Sequence, residues 1–283
     1  MIETRNGFFY IKRSLIYIII TLLAIGFLFP FWFMFIAMFR TNGQISSTAL
    51  HLIPEQGFLY FDNIRILLER NFMRNINNTV FVSVIRTFLS VLFCCMAGLA
   101  FAKFRFPGRK TLMFAIILTM MVPGQISVIP NYLLMTKLKC LNTYQALILP
   151  GLASAFGIFM MRQFMSALPD EIIESAKIDG LNEWGILFRM AIPLTQSGIV
   201  VLCIITFMGS WNDFFWPLIV TTDEKMYTAT LRLANLNDTG LYDIVPLGAI
   251  MCGAFISSLP MIIIFVIFRD KMLSGILAGS IKA

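Results

Sequence analysis

Two ionisable residues fall inside apolar stretches where a charge is costly, Arg86 and Asp213. At the centre of a bilayer a charge costs roughly 2.5–3.5 kcal/mol on insertion scales, so such groups turn inward, pair with one another or line a polar path. Either outcome fits this pair, and so does a purely structural bridge. Gln125, Asn131 and Asn212 are amides in similarly apolar surroundings and could hydrogen-bond a polar ligand, with rings such as Trp211 or Trp216 stacking on that ligand or anchoring at the membrane surface. Pro123-Gly124-Gln125 and Pro130-Asn131 interrupt one apolar block, and helices broken at mid-depth often line substrate paths.

A second group is acidic and clustered. Residues 165–196 carry Asp170, Glu171, Glu174, Ser175, Ala176, Asp179 and Gly180 within a segment that reads as a short helix. Pro169 suits its first position, the acids favour the positive end of its dipole, and Gly180 suits a left-handed residue just past its end. Asn182 could cap a second short helix running to about Met190, before Pro193. Ile172, Ile173 and Ala176 share a face while Glu171, Glu174 and Lys177 sit toward another. Such a helix either lies against its own protein or docks a partner.

Catalytic constellations are missing. His51 is the only histidine, so neither a His-based metal site nor a Ser/His pair within the spans can form. The five cysteines contain no CxxC pair, and no HExxH or Walker A motif occurs. This chain is expected to be neither an enzyme nor the site of ATP hydrolysis, and to hold no metal or other cofactor.

The elements that must position these residues are membrane helices. Of 283 residues 58% are hydrophobic and 13% charged, where a soluble domain carries about 45–50% and about 25%. Six apolar blocks, about 14–39, 79–102, 111–134, 145–164, 197–219 and 247–268, are each long enough to cross a bilayer. With the N-terminus inside, thirteen Lys and Arg fall on the cytoplasmic side and eight outside. Residues 1–13, the loop 165–196 and the tail 269–283 are then cytoplasmic, and residues 14–283 make up one transmembrane domain. The net charge of +7 is spread between apolar blocks, which reads as membrane orientation and not as a nucleic-acid surface.

One spacing is specific. Glu174-Ser175-Ala176, three residues, Gly180, nine residues and Met190-Ala191-Ile192-Pro193 resembles the EAA loop of binding-protein-dependent ABC importer permeases. Ser175 stands for the pattern's second alanine, and Met190 and Ile192 for its isoleucine and leucine. FAKFRFPGRK at 101–110, residues 121–130, 141–162 and 177–180, and WNDFFWPLIV at 211–220 are similar to the carbohydrate-uptake branch of that family. GILAGSIKA at 275–283 resembles the tail of maltose-type second permease subunits.

The resemblance implies an all-α, polytopic bundle of the type I ABC importer permease fold, with both termini cytoplasmic, in a bacterial plasma (inner) membrane. It implies that Glu171, Glu174, Ser175, Ala176, Asp179 and Gly180 meet a separate cytoplasmic ATPase, and that Gly275, Ala278, Gly279 and Lys282 offer a second contact. ATP and magnesium would belong to that partner. Two ATPase chains, a homologous second permease and an extracellular or periplasmic solute-binding protein would complete the assembly, with a sugar as cargo. A heterodimer with the second permease follows from the likeness, while the sequence leaves a homodimer open. The competing class, an ion-coupled secondary transporter or a channel, would require intramembrane carboxylates or internal repeats. Asp213 is the only strong carboxylate candidate.

Overall fold

The computed structural model describes residues 7–46, 53–54, 57–236 and 245–280. All regular structure among them is helical. Three helices contain an apolar stretch long enough to cross a bilayer unaided, within Lys12–Ala37, Phe72–Lys103 and Leu247–Arg269. Three further crossings are possible only if bent pairs of helices each count as one span.

The chain divides into two compact units. The first combines α1 (Gly7–Ala37), α2 (Asp62–Glu69) and the opening turns of α12 (Leu247–Ser280). The apolar side chains of α1 from Leu15 to Phe29 stand open along its length, as a lipid-facing helix requires. Carbonyls at and just past its C-terminal end are gathered by one side chain. The Asn63 amide, 1% exposed, donates to Met38 O at 3.0 Å, to Arg40 O at 2.8 Å and, at 3.4 Å, to Ala37 O. A cluster of rings packs around this junction: Phe35 lies 5.4 Å from Phe255, and Phe39 lies 5.2 Å from Phe58. Asn63→Ala removes the donor from buried carbonyls and is expected to cost about 1–3 kcal/mol. A thiol-reactive dye that reads exposure of the buried Cys94, Cys95 and Cys252 on heating should report a lower midpoint.

The second unit holds the rest of α12 and the other main helices. They are α3 (Phe72–Lys103), α4 (Arg109–Thr119), α5 (Val128–Lys137), α6 (Tyr144–Ile148), α7 (Ala155–Ser166), α8 (Asp170–Ile178), α9 (Gln196–Trp211), α10 (Phe215–Val220) and α11 (Ala229–Ala234). One core gathers Cys94, Cys95 and Leu99 of α3, Met161 and Met165 of α7, Ile173 and Ala176 of α8, and Leu202 of α9. A second joins Val82 of α3, Met135 of α5, Leu147 of α6 and Val220 of α10.

Two blocks that read as single apolar runs are bent, and a third bend falls just before the block 197–219. α4 and the segment Gly124–Lys137 meet at 98°, because Pro123 adopts an extended ψ of 131° and cannot continue the preceding helix. Tyr144–Gly151 and α7 meet at 48°, and Glu183–Leu194 and α9 at 86°. The block 197–219 is also interrupted, since α9 stops at Trp211 and α10 starts at Phe215. α3 begins at Phe72, before the apolar block expected from 79. Its extra turn is polar: Asn75 and Asn78 donate to the carbonyls of Glu224, Lys225 and Tyr227 at 2.8–3.0 Å. These bonds hold the 224–227 loop against the start of the helix.

Candidate functional site

The acidic segment folds as a capped helix with two different faces. Pro169, with ψ of 138°, is the residue before α8 and not its first helical residue, so Asp170 opens the helix. At the other end Leu181 N–H donates to Ala176 O and Gly180 N–H to Lys177 O, both at 3.0 Å. This paired closure needs a left-handed residue, and Gly180 supplies it at φ 81°. A Cβ at Gly180 would meet no atom within 4 Å, so glycine is required by backbone conformation within the chain, not by crowding. Gly180→Val is therefore expected to strain α8's end by about 1–2 kcal/mol, and Gly180→Asn by less, because asparagine tolerates this conformation. Limited proteolysis across 178–185 should rank the variants in that order.

Ile173 and Ala176, at 4% and 2% exposure, fix one face of α8 in the core. The opposite side stays open, with Glu171, Glu174, Ser175, Ile178, Asp179 and Gly180 all exposed. The two readings of the amphipathic pattern thus hold for different faces of one helix. Ser175 Oγ is turned back on Ile172 O at 3.1 Å. Beyond Gly180, Asn182 Oδ1 accepts from Gly185 N at 2.8 Å and caps the next helical segment. That segment runs past its expected end through a π-helical stretch, Ile186–Ala191, to Leu194, so Pro193 lies inside it. Trp184 and Phe188 stack at 6.3 Å and are both exposed, extending an apolar surface beside Gly180.

Lys103 locks α8 to the end of α3. Its ammonium, on a side chain 5% exposed, donates at 2.5 Å to Leu168 O and to Asp170 Oδ1. The hydrogen bond and charge of Lys103 hold the Asp170 carboxyl below its ordinary value. The folded pKa is depressed, so this latch is complete above the ordinary aspartate range near pH 3.9 and opens as pH falls through the lowered value. It is closed at neutral pH. Lys177 lies over the Phe104 ring at 5.5 Å and adds a second tie between α8 and the α3–α4 turn.

The intramembrane charges meet. Arg86 Nη1 donates to Asp213 Oδ2 at 3.1 Å, each side chain being 22% exposed. Asp213 lies in the break between α9 and α10, not within a continuous span. There its Oδ1 also accepts from Trp216 N at 3.3 Å and caps α10. Trp216 Nε1 donates to Ala146 O at 2.8 Å, joining α10 to α6. Sequence reasoning missed Gly151. A Cβ there would lie 1.8 Å from Arg86 Nε, so only a glycine leaves the guanidinium this close to the backbone. The signal was the Pro150-Gly151 pair, but nothing in it named Arg86 as the neighbour. Asn212 donates to Met208 O on its own helix at 3.0 Å. Gln125 is exposed and Asn131 half-buried, and neither side chain forms a hydrogen bond among the described residues. Of the five candidate path residues only Arg86 and Asp213 come together.

Residues 90–273 match the family of binding-protein-dependent transport system inner membrane components. The chain is also 33% identical to the arabinooligosaccharides transport system permease protein AraQ of Halalkalibacterium halodurans, over 96% of this chain and 99% of that one. This chain belongs to that family. The lactose transport system permease protein LacG of Rhizobium radiobacter is 34% identical to the permease over 94% of this chain and 95% of that one. The sn-glycerol-3-phosphate transport system permease protein UgpE of Salmonella typhi is 27% identical over 98% of both. The fold is shared with a solved bacterial ABC transporter involved in the import of the acidic polysaccharide alginate, at a TM-score of 0.80 and 23% identity over 94% of this chain and 98% of that chain.

An all-α polytopic importer permease is thus the fold as well as the family, and the secondary-transporter class is not favoured. The permease is an inner membrane component whose relatives are transport proteins. In its tail, Gly275, Ala278 and Gly279 lie on the backbone of α12, while Lys282 falls outside the described residues.

Proposed function

We propose that the chain is the non-catalytic permease subunit of an ATP-driven importer for a sugar or sugar derivative. It forms half of the translocation path, beside a homologous second permease, in a bacterial plasma membrane. The reading is carried by α8. A rigid helix buried on one face and capped at Gly180 presents an unpaired acidic and apolar surface on the other. A partner ATPase that seats this surface can move it as a lever. The core through Ile173, Met161, Cys95 and Leu202 would carry the motion into α3, α7 and α9. The ATPase, two copies with their own ATP and magnesium, would receive Glu171, Glu174, Ser175, Asp179 and Gly180, with residues 275–283 as a second contact, whereas Ala176, expected in the same set, is packed into the permease's own core. An extracellular solute-binding protein would deliver the cargo to a path that includes Arg86, Asp213, Asn212, Gln125 and Asn131.

The cargo class rests on relatives named for arabinooligosaccharides, lactose and glycerol 3-phosphate. Reconstitution tests the whole reading. Proteoliposomes should accumulate labelled sugar only with the second permease, the ATPase, ATP and the binding protein all present. Uptake by this chain alone would contradict it.

A further inference from the structure

After α3 the chain turns through residues 104–108 into α4, and this turn forms a pocket with α7. Arg105, Phe106, Arg109, Lys110, Met113 and Arg162 line it, with Gly108 and Thr111. Four of these are cations and none is an acid. Arg109 is already committed, donating at 3.2 Å to Phe104 O and to Ala102 O. Arg105, Lys110 and Arg162 have no hydrogen-bond or ion-pair partner among the described residues. Arg105 lies close enough to Asp170 to lower its pKa, but that carboxylate is bonded to Lys103. The nearby acids Asp170, Glu174 and Glu183 line the adjoining depression, which Lys103 and Lys177 share with Arg105 and Arg109, so Lys110 and Arg162 are the cations that face the pocket alone.

The pocket is also apolar beneath its charges. Met113 is 6% exposed and forms part of the floor. The rest of α4 continues with exposed Leu112, Phe114 and Leu118. The pocket follows directly on the last turn of the apolar helix α3, which at 32 residues is long enough to carry it to a bilayer's headgroups. A free anion would need only the cations. A ligand with an anionic head and an apolar tail uses both features.

We propose that this pocket seats the phosphate of an anionic phospholipid, with an acyl chain running along the apolar side of α4. Arg105, Lys110 and Arg162 hold the phosphate, and Phe106 and Met113 meet the glycerol backbone. The site does not include the candidate path residues, and Arg105 stands on its border with the depression that holds Glu174.

Native mass spectrometry tests it on the full chain, with whatever subunits co-purify, released from nanodiscs of equal phosphatidylglycerol and phosphatidylcholine. The wild type should retain phosphatidylglycerol in preference. Arg105→Gln, Lys110→Gln and Arg162→Gln should each lower that retention about fivefold, the equivalent of about 1 kcal/mol per cation near a membrane surface. The triple variant should lose it about a hundredfold, with phosphatidylcholine unchanged. Equal retention by wild type and triple variant would overturn the proposal. So would displacement of the lipid by millimolar inorganic phosphate, which marks a free-anion site, or loss of a subunit with lipid retained, which marks a protein contact. If the triple variant does not fold, the exposed Lys110→Gln decides alone, and an unchanged retention refutes the site.

Discussion

Glu174→Lys is expected to lower substrate uptake by at least thirtyfold while leaving the unfolding midpoint of the permease unchanged. Glu174 is exposed and its side chain makes no hydrogen bond or ion pair among the described residues, so its charge contributes little to the fold. α8 is held by its other side, through Ile173, Ala176 and the Lys103 latch at Asp170. The open face carries Glu171, Glu174 and Asp179, and the nearest cation of the helix, Lys177, is turned onto the Phe104 ring. A partner that covers this face must offer positive charge or hydrogen-bond donors. Placing a cation there leaves a buried charge unmatched, a loss of about 2–5 kcal/mol, or roughly thirtyfold and upward in association. Co-purification of the ATPase and uptake in proteoliposomes should fall together, with Glu174→Gln intermediate. Ser175→Ala should have a much smaller effect, because that hydroxyl already bonds to its own helix. Wild-type uptake by Glu174→Lys would remove α8 as the coupling element.

The prediction rests on features of unequal visibility in the sequence. The Gly180 closure was legible, because a helix with acids at its start and glycine after its end has few other ways to finish. So was the buried Ile173–Ala176 seam, since spacing alone places those residues on one face. The spans were legible as apolar length, but their bends were only partly so. Pro123 announces the 98° break by its chemistry. The 86° bend at Thr195 has no comparable marker: φ −109° and ψ 20° there are open to most residues, and packing decides them. Pro193 misled in the other direction, because a π-helical stretch lets the helix run through it. Contacts distant in sequence were the least legible. Two isolated charges in apolar blocks suggested the Arg86–Asp213 pair, yet Gly151 beneath Arg86 and the Trp216–Ala146 bond depend on how α3, α6 and α10 pack. The path amides fared worst for the same reason: side-chain type did not reveal that Asn212 bonds to its own helix.

At the Arg86–Asp213 pair, single and double substitutions should separate two roles of one carboxylate. Asp213→Asn keeps an N-cap for α10, since asparagine caps as well as aspartate, but leaves Arg86 without a counter-charge. Breaking a buried pair from one side costs about 3–5 kcal/mol, and with 22% exposure on each side chain the lower end applies. Asp213→Ala should cost about 1 kcal/mol more, because the cap is lost as well. The reversed double variant, Arg86→Asp with Asp213→Arg, restores charge pairing but not the cap, as arginine cannot accept from Trp216 N–H. Its midpoint in the thiol-dye assay should therefore lie above either reversal alone and below wild type, by about the cost of the cap. Gly151→Ala reaches the same bond from the opposite side, because its methyl occupies the place of the Arg86 guanidinium. It should resemble Asp213→Asn in stability while every charge remains. If the reversed double variant is no more stable than the single reversals, the two charges act independently and the 3.1 Å contact contributes nothing to the fold. If stability is restored but uptake is not, the pair's orientation matters to transport, as it would if substrate passes along the Arg86 side.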